Sequence, residues 1–290
     1  MRLRIIEGIP KTDRVDERRV SLCAAGTRHD AITRLMSPGD VGQVVKPFVF
    51  LDDFAIPAGT SSVFSMYPHT GIARLTYILT GSVWINDTVG TTAVVNAGDI
   101  EWMRASGGAL HESAMRGDSP LTGLKLWLAM PPNLESAAPE TCHIAAQAVP
   151  RVGPASVLLG KYQGARGPIS HDEGINYLSV ELEAQSSWEY VPPVGHSVSW
   201  DYVYRGRLKT AGDLIERKLA VFKSGEAPIL FTADEYAGFV LGSAVAHDHE
   251  FMMGPYSVHT SQAAISNEFQ EINRIGSTLK LRQAGASPQV

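Results

Sequence analysis

Apolar side chains recur at every second position along much of this chain. Leu124, Leu126, Leu128 and Met130 share one face of an extended segment, and Leu178, Val180 and Leu182 share another, with Ser179, Glu181 and Glu183 opposite. A period of two sends successive side chains to opposite faces, so both segments read as strands with one buried side. Leu75, Tyr77 and Leu79 alternate with Thr76, Ile78 and Thr80, which predicts a strand at least partly buried on both faces. Gly81, Gly90, Gly98, Gly206, Gly225, Pro228 and Gly242 punctuate such runs. Short strands with turn signals at intervals of about 10 residues predict a sandwich or barrel rather than βαβ units.

Helical spacing is confined to the C-terminus. Ile265, Phe269 and Ile272 recur at i, i+4 and i+7 behind Thr260 and Ser261, either of which suits an N-cap. The spacing predicts an amphipathic helix over Ser261–Arg274, docked on the β-structure, and a loosely held tail over 276–290.

A repeat runs through the chain. Thr76-Tyr-Ile-Leu-Thr-Gly81-Ser-Val83 is similar to Asp201-Tyr-Val-Tyr-Arg-Gly206-Arg-Leu208 at an offset of 125 residues, and Gly98 and Gly225 follow 17 and 19 residues later. Self-similarity at near half the chain length predicts two copies of one β-domain. The stretch 131–154 holds five prolines and reads as the connection. The predicted division is an N-terminal barrel with its extension over 1–135, a linker over 136–155, and a C-terminal barrel over 156–275 ending in the helix. The fold class is all-β.

Composition narrows the function. Among 290 residues, 25 Lys and Arg face 30 Asp and Glu, for a net charge of −5, while 44% hydrophobic and 19% charged residues supply a real core. No basic cluster offers a nucleic-acid footprint, so direct nucleic-acid binding is not expected. The charge-free stretch Phe54–Ala73 is broken by Pro57, Gly59 and Pro68, and cannot be a spanning helix. Asp13–Arg19 mixes both signs and reads as a solvated segment. Cys23 and Cys142 are distant and read as free thiols of a reducing compartment. The first residues lack the apolar stretch of a signal peptide, so a cytoplasmic location is expected.

Nine histidines are the natural candidates for metal or proton chemistry. His29, His143 and His171 read as solvated loop residues. His69, in Tyr67-Pro-His-Thr-Gly71, and His111, in Gly107-Gly-Ala-Leu-His-Glu-Ser113, each precede a predicted strand. Strand-mouth positions in a barrel can converge from distant sequence on one ion. Trp84, Trp102, Trp127, Trp188 and Trp200 read as barrel core, with Trp102 and Met103 as candidates for lining a pocket. Gly71, Gly81 and Gly98 accompany no strand–loop–helix unit and are not phosphate cradles. Ser106 and Ser113 lie near His111 without an orienting acid, so no nucleophile–base pair is visible.

A family resemblance rests on several segments in order. Lys46-Pro-Phe-Val-Phe-Leu-Asp-Asp-Phe54, Pro68-His-Thr-Gly71, Leu75-Thr-Tyr-Ile-Leu-Thr-Gly81, Gly98-Asp-Ile-Glu-Trp-Met103, Gly108-Ala-Leu-His111, Gly123-Leu-Lys-Leu-Trp-Leu-Ala-Met-Pro131 and Gly254-Pro-Tyr-Ser-Val-His-Thr260 resemble the pirin family. The resemblance runs from about residue 30 to 274. It implies a bicupin, two small antiparallel barrels of the cupin (jelly-roll) type in one chain, in agreement with the repeat.

The resemblance also implies one Fe(II) or another divalent ion in the N-terminal cupin, held by three histidines and one glutamate, and no organic cofactor. Carried over, two ligands are His69 and His111, while Tyr67 and Ser113 stand where the family has histidine and glutamate, and Ala73 stands at a further family glutamate. In extended backbone Tyr67 and His69 can face one way, as can His111 and Ser113, with Glu112 opposite unless a bulge re-aims it. Three readings follow: a metal lost or weakly bound, a rebuilt site of His69, His111 and either Tyr67 or Glu112, or a site elsewhere, with His196, His247 and His249 as the C-terminal cluster. For function, one expectation is a small-molecule-binding or regulatory protein, with a ligand in the N-terminal cavity or a protein partner. The other is a metal-dependent dioxygenase of the quercetin 2,3-dioxygenase type.

Overall fold

The computed structural model describes residues 18–60, 63–170 and 174–285. The leading segment, most of Asp13–Arg19, His171 and the last five residues of the expected tail lie outside this range. Two layered β-domains build the chain. The first has a seven-stranded sheet in the order Glu140–Ile144, Ile100–Arg104, Ile72–Thr80, Leu121–Ala129, Phe48–Ile56, Ile32–Met36 and Thr27–His29. A four-stranded sheet, Val63–His69, Ala109–Arg116, Ser82–Asp87 and Thr92–Asn96, closes over its inner face.

The second domain repeats this plan. Its seven-stranded sheet runs Val20–Ala24, Leu219–Phe222, Val198–Arg205, Ala237–Ala244, Ile175–Leu182, Ala155–Leu159 and Arg151–Val152. Its smaller sheet is Ser186–Tyr190, Ile229–Ala233, Leu208–Thr210 and Asp213–Ile215. The two strands that carry the repeat, Ile72–Thr80 and Val198–Arg205, hold the same third place in their sheets. Both end in a glycine at positive φ, Gly81 at +78° and Gly206 at +69°. A Cβ there would lie 2.6 Å from Pro120 O and 2.2 Å from Tyr236 O respectively, so the turn excludes any larger residue.

The seven-stranded sheets pack back to back. Leu75, Leu124, Leu126, Leu128 and Met130 from the first meet Trp200, Tyr202, Leu219 and Val240 from the second in one continuous core. Phe48 stands edge-on to Trp200 with ring centroids 5.3 Å apart. The alternate residues turn into the domains: Ile78 meets Val83, Ile85 and Val95 in the first, and Leu178, Val180, Phe231 and Phe239 fill the second. Central strands are therefore covered on both faces, as the Leu75–Thr80 pattern predicts. Asp52 and Asp53 divide by the same parity. Asp53 Oδ2 accepts hydrogen bonds from the Tyr202 hydroxyl and from Arg217 across the interface, while Asp52 turns into the first domain.

The predicted boundaries need correction. Val20–Ala24, expected with the N-terminal barrel, pairs with Leu219–Phe222 and edges the second sheet. Glu140–Ile144, inside the expected 136–155 linker, edges the first sheet beside Ile100–Arg104. An open sheet edge presents unpaired backbone groups, and these two segments cover such edges. A count of prolines marks breaks but does not see that the gap between Pro139 and Pro150 has room for a strand. The helix is also longer than its periodicity predicts, spanning Gln262–Gly285 and passing through Gly276. Ser261 is its cap, its Oγ accepting from Ala264 N at 3.2 Å. Among the described residues Ala264 and Glu268 are its buried ones, whereas Phe269 is 62% exposed.

Inside the second domain Asp201, the repeat-mate of Thr76, is fully buried and neither carboxylate oxygen has a partner among the described residues. Burial alone pushes its carboxyl well above the usual carboxylate range. A group raised on folding contributes fully below its unfolded value, about 3.9 for Asp, and that contribution is lost as pH rises toward the folded value. Asp201→Asn, neutral at every pH, is therefore expected to unfold at higher urea than the parent at neutral pH. The advantage should shrink as pH falls and vanish below pH ~3, where the parent's carboxyl is neutral in both states; urea melts across a pH series check it.

Candidate functional site

Strand parity puts a charge inside the first domain. Along Ile72–Thr80, Leu75 and Tyr77 face the second sheet, so Arg74, Thr76 and Ile78 face inward. Thr76 is paired with Glu101 on the neighbouring strand and Arg74 with Met103, which brings Glu101 to the same interior. Arg74 is 1% exposed. Its Nη2 donates to Glu101 Oε1, and its Nη1 lies 2.6 Å from His111 Nε2 and 3.2 Å from Nδ1. The nearer imidazole nitrogen accepts and so carries the lone pair. Arg74 Nε–H has no acceptor among the described residues.

The two histidines singled out in the sequence do meet here. His69 and His111 come from paired strands of the smaller sheet, their rings 5.2 Å apart and 21° from parallel. The Tyr67 ring lies 4.2 Å from His111 and 5.1 Å from His69. Ser113 lines the cavity beneath them. Glu112 is not brought to the site: its Oε1 accepts from Asn86 Nδ2 at 2.9 Å on the next strand. The bulge opposite His111–Ser113 adds its extra residue to Val63–His69, so Glu112 keeps the opposite parity. Nor do Trp102 and Met103 line the cavity. Trp102 belongs to the inter-sheet core, and Met103 packs with Phe50, Ile72 and Trp127. Alternation makes Glu101, one residue earlier, the cavity residue of that strand.

The C-terminal return closes over these groups. His69 Nδ1–H donates to Tyr256 O at 3.0 Å, leaving the Nε2 lone pair buried and unpartnered among the described residues. Tyr256 sits at φ +58° in the turn between Met252–Gly254 and Ser257–His259, a conformation bulky residues rarely adopt. Gly71, at φ +67°, permits the approach, since a Cβ there would lie 2.2 Å from Val258 O. His259 Nε2 is 2.9 Å from Thr70 Oγ1, and Glu135 accepts from both Thr260 N and Thr260 Oγ1 at 2.8 Å. The remaining histidines are dispersed. His196 contacts Ser243 Oγ at 2.9 Å, His143 pairs with Asp99 at 2.9 Å, and His247 and His249 meet edge to face. Among the described residues no group of three or more His, Cys, Asp or Glu is placed to hold an ion.

Burial, with the Arg74 charge beside them, pushes both His69 and His111 far below the usual imidazole range, so both are neutral. The inner cavity is small, about 50 Å³, and holds Arg74, Thr76, Glu101, Ser113 and Lys125 on its wall. It adjoins a vestibule of about 720 Å³ bounded by Phe50, Phe64, Tyr67, Trp127 and Tyr256. An Arg34–Asp52 ion pair at 2.5 Å stands on the boundary. Arg74 and Glu101 escaped the sequence reading although each is a lone charge in an apolar run, Ile72-Ala-Arg-Leu and Ile100-Glu-Trp-Met. Such charges seldom lie buried unless paired, which is the signal that marks them.

Breaking a buried ion pair from one side strands the other charge, at about 3–5 kcal/mol. Glu101→Gln is expected to lose that much stability in urea at neutral pH. Glu112→Gln, whose carboxylate meets only Asn86 among the described residues, is expected to stay within about 1 kcal/mol of the parent.

Comparison with known proteins agrees with this architecture. The Pirin family model matches residues 29–128. A pirin-like protein of Caulobacter vibrioides is 27% identical over 282 residues, covering 92% of this chain and 96% of that one. A protein of Pseudomonas aeruginosa named "Putative quercetin 2,3-dioxygenase PA2418" is 29% identical over 206 residues, covering 66% and 71%. Among solved structures, quercetin 2,3-dioxygenase from Acinetobacter baumannii superposes with a TM-score of 0.82 at 20% identity, covering 89% of this chain and 97% of that one. Residues 29–128 form a Pirin family domain by this match, and the whole chain has the paired-barrel fold of the solved structures it is similar to.

Proposed function

We propose that this pirin-like bicupin binds a small molecule in its N-terminal cavity and holds no tightly bound metal there. One observation carries the reading: the Arg74 guanidinium stands against His111 and Glu101. A divalent ion needs deprotonated, unengaged lone pairs. Here the nearer His111 nitrogen and the Glu101 carboxylate both serve a cation already, and Tyr67 and Ser113 are weak donors at neutral pH. At this site, among the described residues, His69 Nε2 is the strong ligand left open. An incoming ion would also meet the fixed Arg74 charge in a dry interior, where like charges repel strongly. The residues present do not fit a divalent ion. The vestibule lies within the ~300–1,000 Å³ typical of small-molecule sites. Among the described residues no helix is long and apolar enough to cross a membrane, and the free thiols Cys23 and Cys142 suit a reducing cytoplasm.

The second reading, a metal-dependent dioxygenase, is favoured by the unpartnered His69 Nε2 and by the name of the Pseudomonas relative. Metal analysis after purification without added metal, then oxygen uptake with quercetin and Fe(II), separates the two. Sub-stoichiometric metal and no uptake are expected; a stoichiometric ion or Fe(II)-dependent turnover would overturn the proposal. Tyr67→His with Ser113→Glu is expected to gain little Ni(II) affinity by calorimetry. Adding Arg74→Ala to that pair should raise affinity at least about tenfold, the lower scale of a ligand-environment change.

A further inference from the structure

The interior of the first domain contains hydrogen-bond donors that nothing among the described residues satisfies. Arg74 Nε–H and Thr76 Oγ1 are buried, line the inner cavity and have no partner among the described residues. Lys125 Nζ reaches the same wall, and among the described residues no carboxylate stands within ion-pair distance of it. Buried polar groups are normally paired, so convergent donors without acceptors describe the complement of a missing acceptor.

Charge specifies that acceptor further. Among the described residues, Arg34, Arg74 and Lys125 face only Asp52 and Glu101 around the cavity and its mouth. Each carboxylate is already paired, Asp52 with Arg34 and Glu101 with Arg74. One positive charge remains to be balanced, which suits a monoanion and not a dianion. Size agrees: the inner cavity, about 50 Å³, is far smaller than the vestibule of about 720 Å³, so the compact carboxylate suits the first and a ring the second. The ring has its own place. The cavity and the vestibule share Asp52, Phe64 and Lys125 on their walls, and beyond them Tyr67 and Trp127 offer aromatic surface.

We infer that the ligand of this site is a small aromatic monocarboxylate, its carboxylate in the inner cavity on Arg74, Thr76 and Lys125, and its ring in the vestibule against Phe64, Tyr67 and Trp127. The inference rests on the reading that Arg74, not a metal, holds the centre of the first domain. A fixed cation where the family resemblance implies a metal turns the pocket from one that attracts cations into one that attracts an anion.

Calorimetric titration of the full chain, purified without added metal, tests this with benzoate and cinnamate as probes. Benzamide and cinnamamide serve as neutral isosteres, and inorganic phosphate as a ring-free anion. The acids are expected to bind at least about tenfold more tightly than their amides, because charge-assisted hydrogen bonds are roughly twice as strong as neutral ones. Phosphate should give no heat. Lys125→Met is expected to weaken cinnamate at least about tenfold, the scale of one bond to a charged group, without moving the urea midpoint. Thr76→Val provides a second, uncharged variant that should weaken cinnamate several-fold. Amides that match the acids, phosphate that competes with cinnamate, or variants that bind cinnamate as the parent does would each overturn the inference. A chain that purifies with a stoichiometric metal overturns both this and the reading beneath it. A metal-free chain that binds neither acid at millimolar concentration overturns this alone.

Discussion

Taking a guanidinium out of water costs several kcal/mol, and Arg74 is almost wholly removed from it. What offsets the cost is an arrangement drawn from three strands. Glu101 supplies the opposite charge, His111 supplies a lone pair, and the barrel wall keeps water from screening either. The consequences spread outward from that group. His111 must stay neutral to accept from Arg74, the Glu101 carboxylate is committed, and an entering cation is repelled. Tyr67 and Ser113, which stand where the resemblance implies histidine and glutamate, are compatible with this interior because neither adds a charge to it.

The duplicated architecture provides an internal comparison. The position equivalent to Arg74 in the second domain is Ser199, and there too a guanidinium arrives, this time from outside the sheet. Arg18 donates to Ser199 Oγ at 2.9 Å and to Lys223 O at 2.6 Å. The second interior is otherwise filled by Leu178, Tyr190, Phe222, Phe231 and Phe239. Its arginine ties the entering N-terminal segment to the sheet, whereas the first domain's arginine borders open volume. Two copies of one fold thus place the same side-chain type in corresponding regions, and neighbouring bulk decides whether it closes a core or borders open volume.

The route of the chain matters as much as the barrels. Val20–Ala24 edges the second sheet, and the segment from Met252 onward comes back to the first. Each domain is therefore finished by a piece of chain distant in sequence. The return fixes the His69 tautomer through Tyr256 O and seats the last helix through Ser261, Thr260 and Glu135. A site assembled in this way is coupled to the docking of the C-terminal return.

Local periodicity determined a good deal by itself. The alternation at Leu75–Thr80 and Leu124–Met130, the repeat at Tyr77 and Tyr202, and the glycines at the two equivalent turns specify a duplicated all-β chain, because parity and positive φ are properties of neighbouring residues. The meeting of Tyr67, His69 and His111 was also legible, since strand-mouth motifs on paired strands have few places to go. Only the tertiary structure decided what stands between them. The inward parity of Arg74 and Glu101 follows from which face of Ile72–Thr80 meets the second sheet, and Glu101 reaches Arg74 only through the pairing register. The edge strands, the long helix and the closing return depend on contacts between segments far apart in sequence. A charge in an apolar strand can be seen in one dimension, but its partner is set by packing in three.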